Sequence, residues 1–252
     1  SDVYKRQDLA RNLDVSDTSI VRLAQALGYT GYPHFKRRLR QYVQPKITTV
    51  ERLGETVRRV ESVEDVLIDV LSRDLKNLQT TLEETDPATF TRFVDEIDGA
   101  SRIFIIALRS THCLSTFMTS ALRFLGREVI PLSPGIGDMW DQLRDLGPED
   151  VLIGFAFPRY TKMTVQVMNF AREQKAMVLA VTDSELSPLN MSANYSLTVP
   201  YRIDSYIESF TASLSLVNAL VTALAFKSEA DNIQTLTEME DLWKREGVYW
   251  KE

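Results

Sequence analysis

The sequence feature that most constrains the fold is a series of short apolar runs that alternate with helical patterns after residue 100. The first of these runs is continuously apolar, as expected for a strand whose two faces are both covered. Strands that alternate with helices predict βαβ units and a doubly wound parallel sheet, here with about five strands. The predicted strands are residues 102–108, 128–132, 150–157, 176–183 and 195–200, and the predicted helices between and after them are 111–125, 137–145, 161–174, 206–226 and 229–245.

The first 48 residues have a wholly helical pattern, which predicts a separate all-α domain before the α/β domain. Ser16 is a good N-cap, because its hydroxyl can accept a backbone N–H at the start of a helix. Gly28 follows the last apolar residue and predicts the end of that helix. The pattern therefore predicts two short helices around a tight turn, with a third over residues 32–44. The apolar stripe of the second helix is Ile20, Leu23, Ala24 and Leu27.

The opposite face of this second helix carries side chains suited to DNA. A helix–turn–helix protein lays its second helix in the major groove and reads bases with residues near the N-terminus of that helix. Ser, Thr and Arg side chains can reach base edges and phosphates. On the helix pattern alone, an ordinary helical hairpin with a solvated polar face is the alternative. The candidate DNA-binding residues are Ser16, Thr18, Ser19 and Arg22, with Lys36, Arg37 and Arg38 in a following basic cluster.

Residues 15–39 resemble the DNA-binding domain of RpiR-type bacterial transcriptional regulators. The family pattern has a Val-Ser turn, a helix with an arginine, and Leu-Gly-Tyr-x-Gly-Tyr followed by an aromatic and a basic residue. The resemblance implies a helix–turn–helix domain that binds operator DNA. The matching positions are Val15, Ser16, Arg22, Leu27, Gly28, Tyr29, Gly31, Tyr32, Phe35 and Lys36.

Charge is distributed unevenly along the chain. Residues 1–50 contain nine Lys/Arg and four Asp/Glu, a balance of +5, which leaves −11 for the remainder of a chain whose net charge is −6. Such asymmetry predicts a basic nucleic-acid module attached to an acidic body. The first seven residues, SDVYKRQ, resemble a translated sequencing adaptor. We therefore expect residues 1–7 to be artefactual and the N-terminus of the first domain to be truncated.

Composition and motifs argue against several other classes of protein. No apolar run approaches the roughly 20 residues that span a bilayer. The single cysteine excludes an internal disulfide framework and suits a reducing cytoplasm, where we expect the protein to act. We expect Cys113 itself to be a small buried hydrophobe. The sequence has no Walker lysine, no complete Gly-x-Gly-x-x-Gly and no metal-ligand constellation, so we expect neither a cofactor nor a metal.

Residues 100–226 resemble the sugar isomerase (SIS) domain, a phosphosugar-binding fold that RpiR-type regulators also carry. The first SIS motif, Gly-x-Gly-x-Ser after a strand, corresponds to residues 107–111, where Arg109 replaces a glycine and Thr111 the serine. The second motif, Ser-x-Ser-Gly-x-Thr, corresponds to residues 156–161, where Arg159 replaces the glycine and Thr161 is kept. Residues 183–189 match the family better. The resemblance implies a helix–turn–helix domain over 1–48, a linker over 49–62, and a ligand-sensing and dimerisation domain over 63–252.

The candidate ligand-binding residues follow the predicted strands, because ligands of such sheets bind outside the carboxyl ends of the strands. Loss of the glycines weakens the close approach of backbone N–H groups to a phosphate. A guanidinium, however, binds phosphate or carboxylate bidentately. We predict that Arg109 and Arg159 clamp an anion, assisted by the hydroxyls of Ser110, Thr111 and Thr161. The alternatives are arginines in surface ion pairs or a subunit contact, and hydroxyls that serve as helix caps.

Together these features predict a cytoplasmic transcriptional regulator and not an enzyme. It would bind operator DNA, sense a small anionic metabolite such as a sugar phosphate or sugar acid, and form at least a dimer. A phosphosugar isomerase or related SIS enzyme is the alternative; the DNA-binding half and the lack of a clear acid/base pair argue against it. Glu208 stands where proton chemistry is conceivable, but a lone Glu at a helix start more often serves the helix dipole. A third possibility is a scaffold that only assembles subunits.

Overall fold

The structure is a computed structural model that describes residues 10–11, 13–36, 48–134, 138–201, 206–227 and 229–250. The chain divides into two compact units. The first comprises Ser1–Asp69 with Ile203–Glu208, and the second comprises Val70–Arg202 with Ser209–Glu252. The predicted boundaries at residues 48 and 62 stay predictions.

The described residues at the beginning of the first unit contain two helical stretches separated by a turn, in the order that the sequence predicts. Residues 10–11 are helical, and the chain then turns through Asp14, whose φ of 51° lies in the left-handed region. Helix α1 spans Asp17–Ala26 and is capped by Ser16, whose side chain accepts a hydrogen bond from the Ser19 N–H. Gly28 follows with a φ of 84°, a backbone conformation that favours glycine. Residues 32–36 are again helical, and the rest of the predicted third helix lies outside the described residues.

Two longer helices follow. Helix α2 spans Thr49–Arg59 and begins with a capping box, in which the Thr48 side chain and Glu51 satisfy each other's backbone N–H groups. It lies within residues 49–62, the segment predicted to be a linker. Helix α3 spans Val63–Glu84, and its buried residues are the polar Asn77 and Thr81. Most of the apolar side chains of α3 are instead exposed.

The second unit contains the predicted parallel sheet. The strands are β1 (Ile103–Ala107), β2 (Val129–Leu132), β3 (Val151–Phe155), β4 (Met177–Thr182) and β5 (Tyr195–Thr198). The sheet order is β2-β1-β3-β4-β5, and all four neighbouring pairs are parallel. The predicted fold, an α-helical region followed by a five-stranded doubly wound α/β domain, is therefore confirmed.

Helices cover both faces of the sheet, so each face has its own core. Alternate strand residues point to opposite faces, so that Ile105 joins one core and Phe104 the other. In β3, Gly154 leaves room for the Met168 side chain, whose Sδ a Cβ at this position would meet. The covering helices are α4 (Pro87–Asp98), α5 (His112–Phe124) and α8 (Thr211–Lys227) on one face and α6 (Met139–Gln142) and α7 (Lys162–Glu173) on the other, and α9 (Glu229–Glu246) follows α8.

Two predicted helices are shorter than expected. The helix predicted over 137–145 is reduced to α6, because Asp138 caps it and the chain turns after Gln142 to bury Leu143 and Leu146. The helix predicted over 206–226 begins only at Thr211, whose N–H donates to the Ser209 hydroxyl. Glu208 consequently lies before the helix and not in its first turn, which removes the dipole role expected for it.

Three apolar side chains also differ in exposure from the expectation. Cys113 is exposed and not buried, because the inward face of α5 is formed by residues 114, 115, 118, 119 and 122. Of the predicted stripe on α1, Ile20 and Ala24 are buried, whereas Leu23 and Leu27 are exposed by 45% and 56%. The reason is the small size of the described core here, which consists of Ala10, Ile20 and Tyr32 with Val21 and Phe35 packed against it.

Candidate functional site

The outer face of α1 is the candidate DNA-binding surface. Thr18, Ser19 and Arg22 are exposed on it, as the sequence predicts. Ser16 also stabilises the start of α1, because its hydroxyl is the N-cap of this helix. Lys36 is half-buried at the end of the helical residues 32–36. Arg37 and Arg38 lie outside the described residues.

Aromatic contacts hold the segment after α1 in place. The Tyr29 ring meets the rings of His34 and Phe35 at centroid distances of 5.1 and 5.4 Å. Thr30 contacts the same histidine, with its Oγ1 3.3 Å from His34 Nδ1. Tyr32 is buried beside Ile20 of α1. The Leu-Gly-Tyr-x-Gly-Tyr pattern thus builds the packing that fastens residues 32–36 to the candidate recognition helix.

The candidate ligand site lies where the sheet order reverses. Chain order runs outward in both directions from the neighbours β1 and β3, and ligands of doubly wound sheets bind at such a switch point, outside the carboxyl ends of the strands. Ala107 at the end of β1 pairs with Phe155 at the end of β3. The loop after β1, residues 108–111, and the loop after β3, residues 156–161, therefore leave the sheet side by side.

The loop after β1 holds Arg109 in a conformation that glycine normally adopts. Its φ is 61°, and a 3-10 turn over Arg109–Thr111 leads directly into α5. The Thr111 hydroxyl is buried and donates to the Leu108 carbonyl at 2.8 Å, so its hydrogen is already committed within the loop. Ser110 is exposed, and its carbonyl accepts a weak hydrogen bond from the Cys113 thiol at 3.3 Å.

The loop after β3 repeats this feature. Arg159 has a φ of 72°, and its side chain is exposed between the buried Pro158 and the half-buried Tyr160. Thr161 occupies the N-cap position of α7, but its side chain makes no capping hydrogen bond. Both arginines thus stand at glycine positions of the SIS motifs and keep the backbone conformation for which glycine is favoured.

A buried polar network supports the second loop from β4. Tyr160 Oη donates to Asp183 Oδ1 at 2.7 Å. The Thr182 hydroxyl donates to the Ala156 carbonyl at 2.8 Å, and Ser187 Oγ lies 2.7 Å from the same hydroxyl. Burial raises the pKa of the Asp183 carboxyl, and the hydrogen bond from Tyr160 partly opposes that shift. Burial, with the Asp183 charge beside it, also raises the pKa of the Tyr160 phenol.

Other kinds of site receive no support from the described part of the chain. A cavity of about 230 Å³ lies near Asp150 and Lys175, at the amino ends of the strands and therefore at the sheet edge opposite the two arginine loops. Among the described residues, no group of three or more His, Cys, Asp or Glu side chains is arranged to hold a metal ion. No single described helix combines the length and apolar character needed to cross a bilayer. Among the described helices, only α8 taken together with the part of α9 from Asn232 would satisfy this criterion, and this pair of helices is sharply bent.

Comparison with known proteins identifies the two domains of the chain. Residues 5–46 match the model of the helix-turn-helix domain of the rpiR family, and residues 96–223, half of the chain, match the model of the SIS domain. The chain belongs to the RpiR family of transcriptional regulators. The resemblances seen in the sequence are therefore confirmed.

Individual relatives match this RpiR-family chain either over most of its length or over the region of its SIS domain. The transcriptional regulator HexR of Escherichia coli is 25% identical over 238 residues, which cover 91% of this chain and 80% of HexR. The sugar isomerase domain of an RpiR transcription factor from Sphaerobacter thermophilus is 26% identical, with a TM-score of 0.66 over 69% of this chain and 97% of that one. Vibrio vulnificus NanR, solved in complex with ManNAc-6P, is 19% identical, with a TM-score of 0.61 over 96% and 86%.

The sequence reasoning missed the network behind the second loop. The sequence places residues 183–189 after a predicted strand and matches them to the SIS family, but it does not predict that Asp183, 6% exposed, accepts a hydrogen bond from Tyr160. A signal was present, since an acidic residue directly after an apolar strand stands at the carboxyl edge of a parallel sheet. The burial of Asp183 could not be predicted from the sequence, because it depends on how the loops after β3 and β4 pack against each other.

Proposed function

We propose that this RpiR-family regulator senses a small anionic metabolite, a sugar phosphate or a sugar acid, in the crevice between the loops after β1 and β3. Residues 1–48 would bind operator DNA in the cytoplasm. Residues 63–252 would bind the ligand and a second copy of the chain, and residues 49–62 would be the linker between these two domains. NanR, a fold relative, is known in complex with a phosphorylated sugar. That complex supports the class of ligand without identifying it.

One observation carries the proposal, namely the left-handed backbone of Arg109 and Arg159 at the switch point of the sheet. A non-glycine residue in this conformation carries strain, and such strain gathers at ligand sites, where the surrounding structure enforces it. The same left-handed conformation lets backbone N–H groups of glycine-containing loops face an anion, and our proposal takes these two loops to form such a site. The guanidinium groups add two charged donors to it.

The two arginines also define what the ligand needs to be. Each guanidinium can make charge-assisted, bidentate hydrogen bonds to a phosphate or carboxylate. Two positive charges on neighbouring loops favour an anion over a neutral sugar. Ser110 and Thr161 supply further hydroxyls, whereas Thr111 can offer only oxygen lone pairs, because its hydrogen is donated to Leu108. Regulation would follow if the ligand binds one arrangement of the DNA-binding pair more tightly than another.

The proposal is tested by ligand binding to the full chain. Thermal unfolding is measured with a panel of hexose 6-phosphates, N-acetylhexosamine 6-phosphates, sugar acids and the matching neutral sugars. We expect only anionic sugars to raise the unfolding temperature. Arg109→Gly and Arg159→Gly keep the loop backbone but remove the guanidinium, and each should weaken ligand affinity on the order of tenfold.

Arg144→Ala is the matched control. This exposed arginine forms an ion pair with its neighbour Asp145. The Asp145 carbonyl accepts a hydrogen bond from Arg102, near the amino ends of the strands and thus at the sheet edge opposite the ligand loops. The substitution should therefore leave ligand affinity unchanged. Unaltered affinity in both glycine variants would remove the clamp from the proposal. Isomerisation of a stabilising sugar phosphate by the wild-type protein would instead favour the enzyme alternative.

A further inference from the structure

Arg52, in the first turns of α2, is a buried arginine that is only partly paired. The residue is 3% exposed. Its Nη1 lies 3.5 Å from Glu208 Oε1, a long ion pair within the first unit. Its Nε and Nη2 are buried and have no hydrogen-bond partner among the described residues. One edge of a charged, buried guanidinium is thus left with two unused donors.

The same edge is occupied in two other arginines of this chain. Arg59 donates from Nε and Nη2 to Asp69 at 3.2 and 2.9 Å. Arg102 donates from Nε and Nη2 to the two carboxylate oxygens of Asp150 at 3.0 and 2.7 Å. Both of these arginines are more exposed than Arg52. The arginine that is most shielded from water is therefore the one whose carboxylate-binding edge is unfilled.

Buried donors of this kind are costly when unpaired. A buried charged group is ordinarily hydrogen-bonded on every side that water cannot reach. Glu208 balances the charge of Arg52 and holds the guanidinium from its Nη1 side, but it leaves the Nε–Nη2 fork unused. The geometry of that fork matches two oxygens of a carboxylate or phosphate.

We propose that the Nε–Nη2 edge of Arg52 binds one oxyanion group, a phosphate or a carboxylate, of a small ligand. The site uses none of the residues of the loops after β1 and β3, so it goes beyond the ligand clamp proposed above. Arg52 lies in α2, whereas Glu208 lies three residues before α8 begins. An anion on Arg52 therefore acts on a pair that joins two segments far apart in the sequence.

Inorganic phosphate is the first probe, since it presents the oxyanion without a sugar. Thermal unfolding of the full chain is followed in a buffer free of oxyanions, with potassium phosphate titrated against potassium chloride of equal ionic strength. We expect phosphate to raise the unfolding temperature beyond the chloride control. Arg52→Lys keeps the charge but loses the fork, and should weaken the apparent phosphate affinity about tenfold.

Two variants separate this site from general effects of charge. Arg59→Lys changes an arginine of the same helix whose fork is already filled by Asp69, so the response to phosphate should not change. Glu208→Gln removes the competing negative charge while keeping a similar shape, and should strengthen phosphate binding. A merely structural Arg52–Glu208 pair would instead give destabilised variants whose phosphate response equals that of the wild type.

Further ligands distinguish the source of the oxyanion and the two proposed sites. The loss of affinity caused by Arg52→Lys is compared between ligands. If a hexose 6-phosphate or a sugar acid loses more affinity than inorganic phosphate, the oxyanion group belongs to a sugar ligand. A phosphate response that is lost in Arg52→Lys but kept in Arg109→Gly supports the Arg52 site even if no sugar binds to the loops. A phosphate response that is kept in Arg52→Lys and Arg52→Met, or absent from the wild type, overturns the proposal.

Discussion

At the scale of single residues, the two arginines at the switch point are unusual for their backbone more than for their charge. Side chains with a Cβ are strained at the φ values of Arg109 and Arg159, by roughly 1–2 kcal/mol each. These two residues lie in neighbouring loops, and each stands at a position where the SIS motif has glycine. From the sequence, the loss of the glycines predicts only a weaker approach of backbone N–H groups to a phosphate, and it does not predict this backbone conformation.

The strain can be measured by substitution of Arg109 in the absence of ligand. Arg109→Gly relieves the left-handed strain, whereas Arg109→Ala keeps it, although glycine also gives the unfolded chain more freedom. We expect the glycine variant to have the higher free energy of unfolding, by about 1 kcal/mol. Denaturant unfolding of both variants checks this, and an alanine variant at least as stable as the glycine variant would contradict the left-handed backbone.

At the scale of elements, α1 has the properties of a recognition helix. Its N-cap, its buried pair Ile20 and Ala24, and the aromatic packing after Gly28 hold it by one side. The other side is left exposed with Thr18, Ser19 and Arg22. A helix that is fixed by its packing and polar on its free face is suited to enter the major groove.

Arg22 provides the test of this element. Arg22→Ala should weaken binding to a selected operator by about 1–3 kcal/mol and leave nonspecific binding nearly unchanged, if the side chain reads a base edge. The double replacement of Arg37 and Arg38 by alanine should weaken binding to all sequences and reduce its salt dependence. Fluorescence anisotropy on selected and scrambled duplexes over a range of salt concentrations measures both. Equal losses on the two duplexes for Arg22→Ala would assign it to phosphate contact only.

At the scale of the whole molecule, α3 leaves an apolar stripe uncovered. Leu71, Leu75 and Leu82, all in the second unit, follow one another at spacings of four and seven residues, which place them on one face of the helix as in a helix–helix seam. Their exposed fractions lie between 58% and 83%. Such a stripe is a candidate contact for a second copy, as expected of a helix–turn–helix protein whose dimers match two half-sites.

Replacement of Leu71 and Leu75 by glutamate tests this assembly. Both side chains are exposed in the single chain, so its folding should persist while a dimer that buries them should dissociate. Light scattering at micromolar concentration should give a dimer for the wild type and a monomer for the double variant. Arg92→Glu, on the exposed part of α4, is the control and should remain dimeric. A monomeric wild type would refute the assembly, and a dimeric double variant would move the interface elsewhere.

Most of the fold was readable from the sequence, because its signals are local. The five strands, the helices that cover them and the caps at Ser16 and Gly28 depend on residues close together in the chain. The same local order predicted which loops meet, since parallel strands place their carboxyl ends at one edge. The sequence therefore predicted that Arg109 and Arg159 follow the strands β1 and β3, but it did not predict the backbone conformation of either residue.

Only the tertiary structure decided the environment of individual side chains. The burial of Asp183, the exposure of Cys113 and the left-handed backbone of Arg109 follow from packing between elements. The pair formed by Arg52 and Glu208 joins residues more than 150 positions apart, and no periodic pattern encodes such a contact. Sequence periodicity reports which face of an element is apolar, whereas burial and pairing depend on what the rest of the chain places against that face.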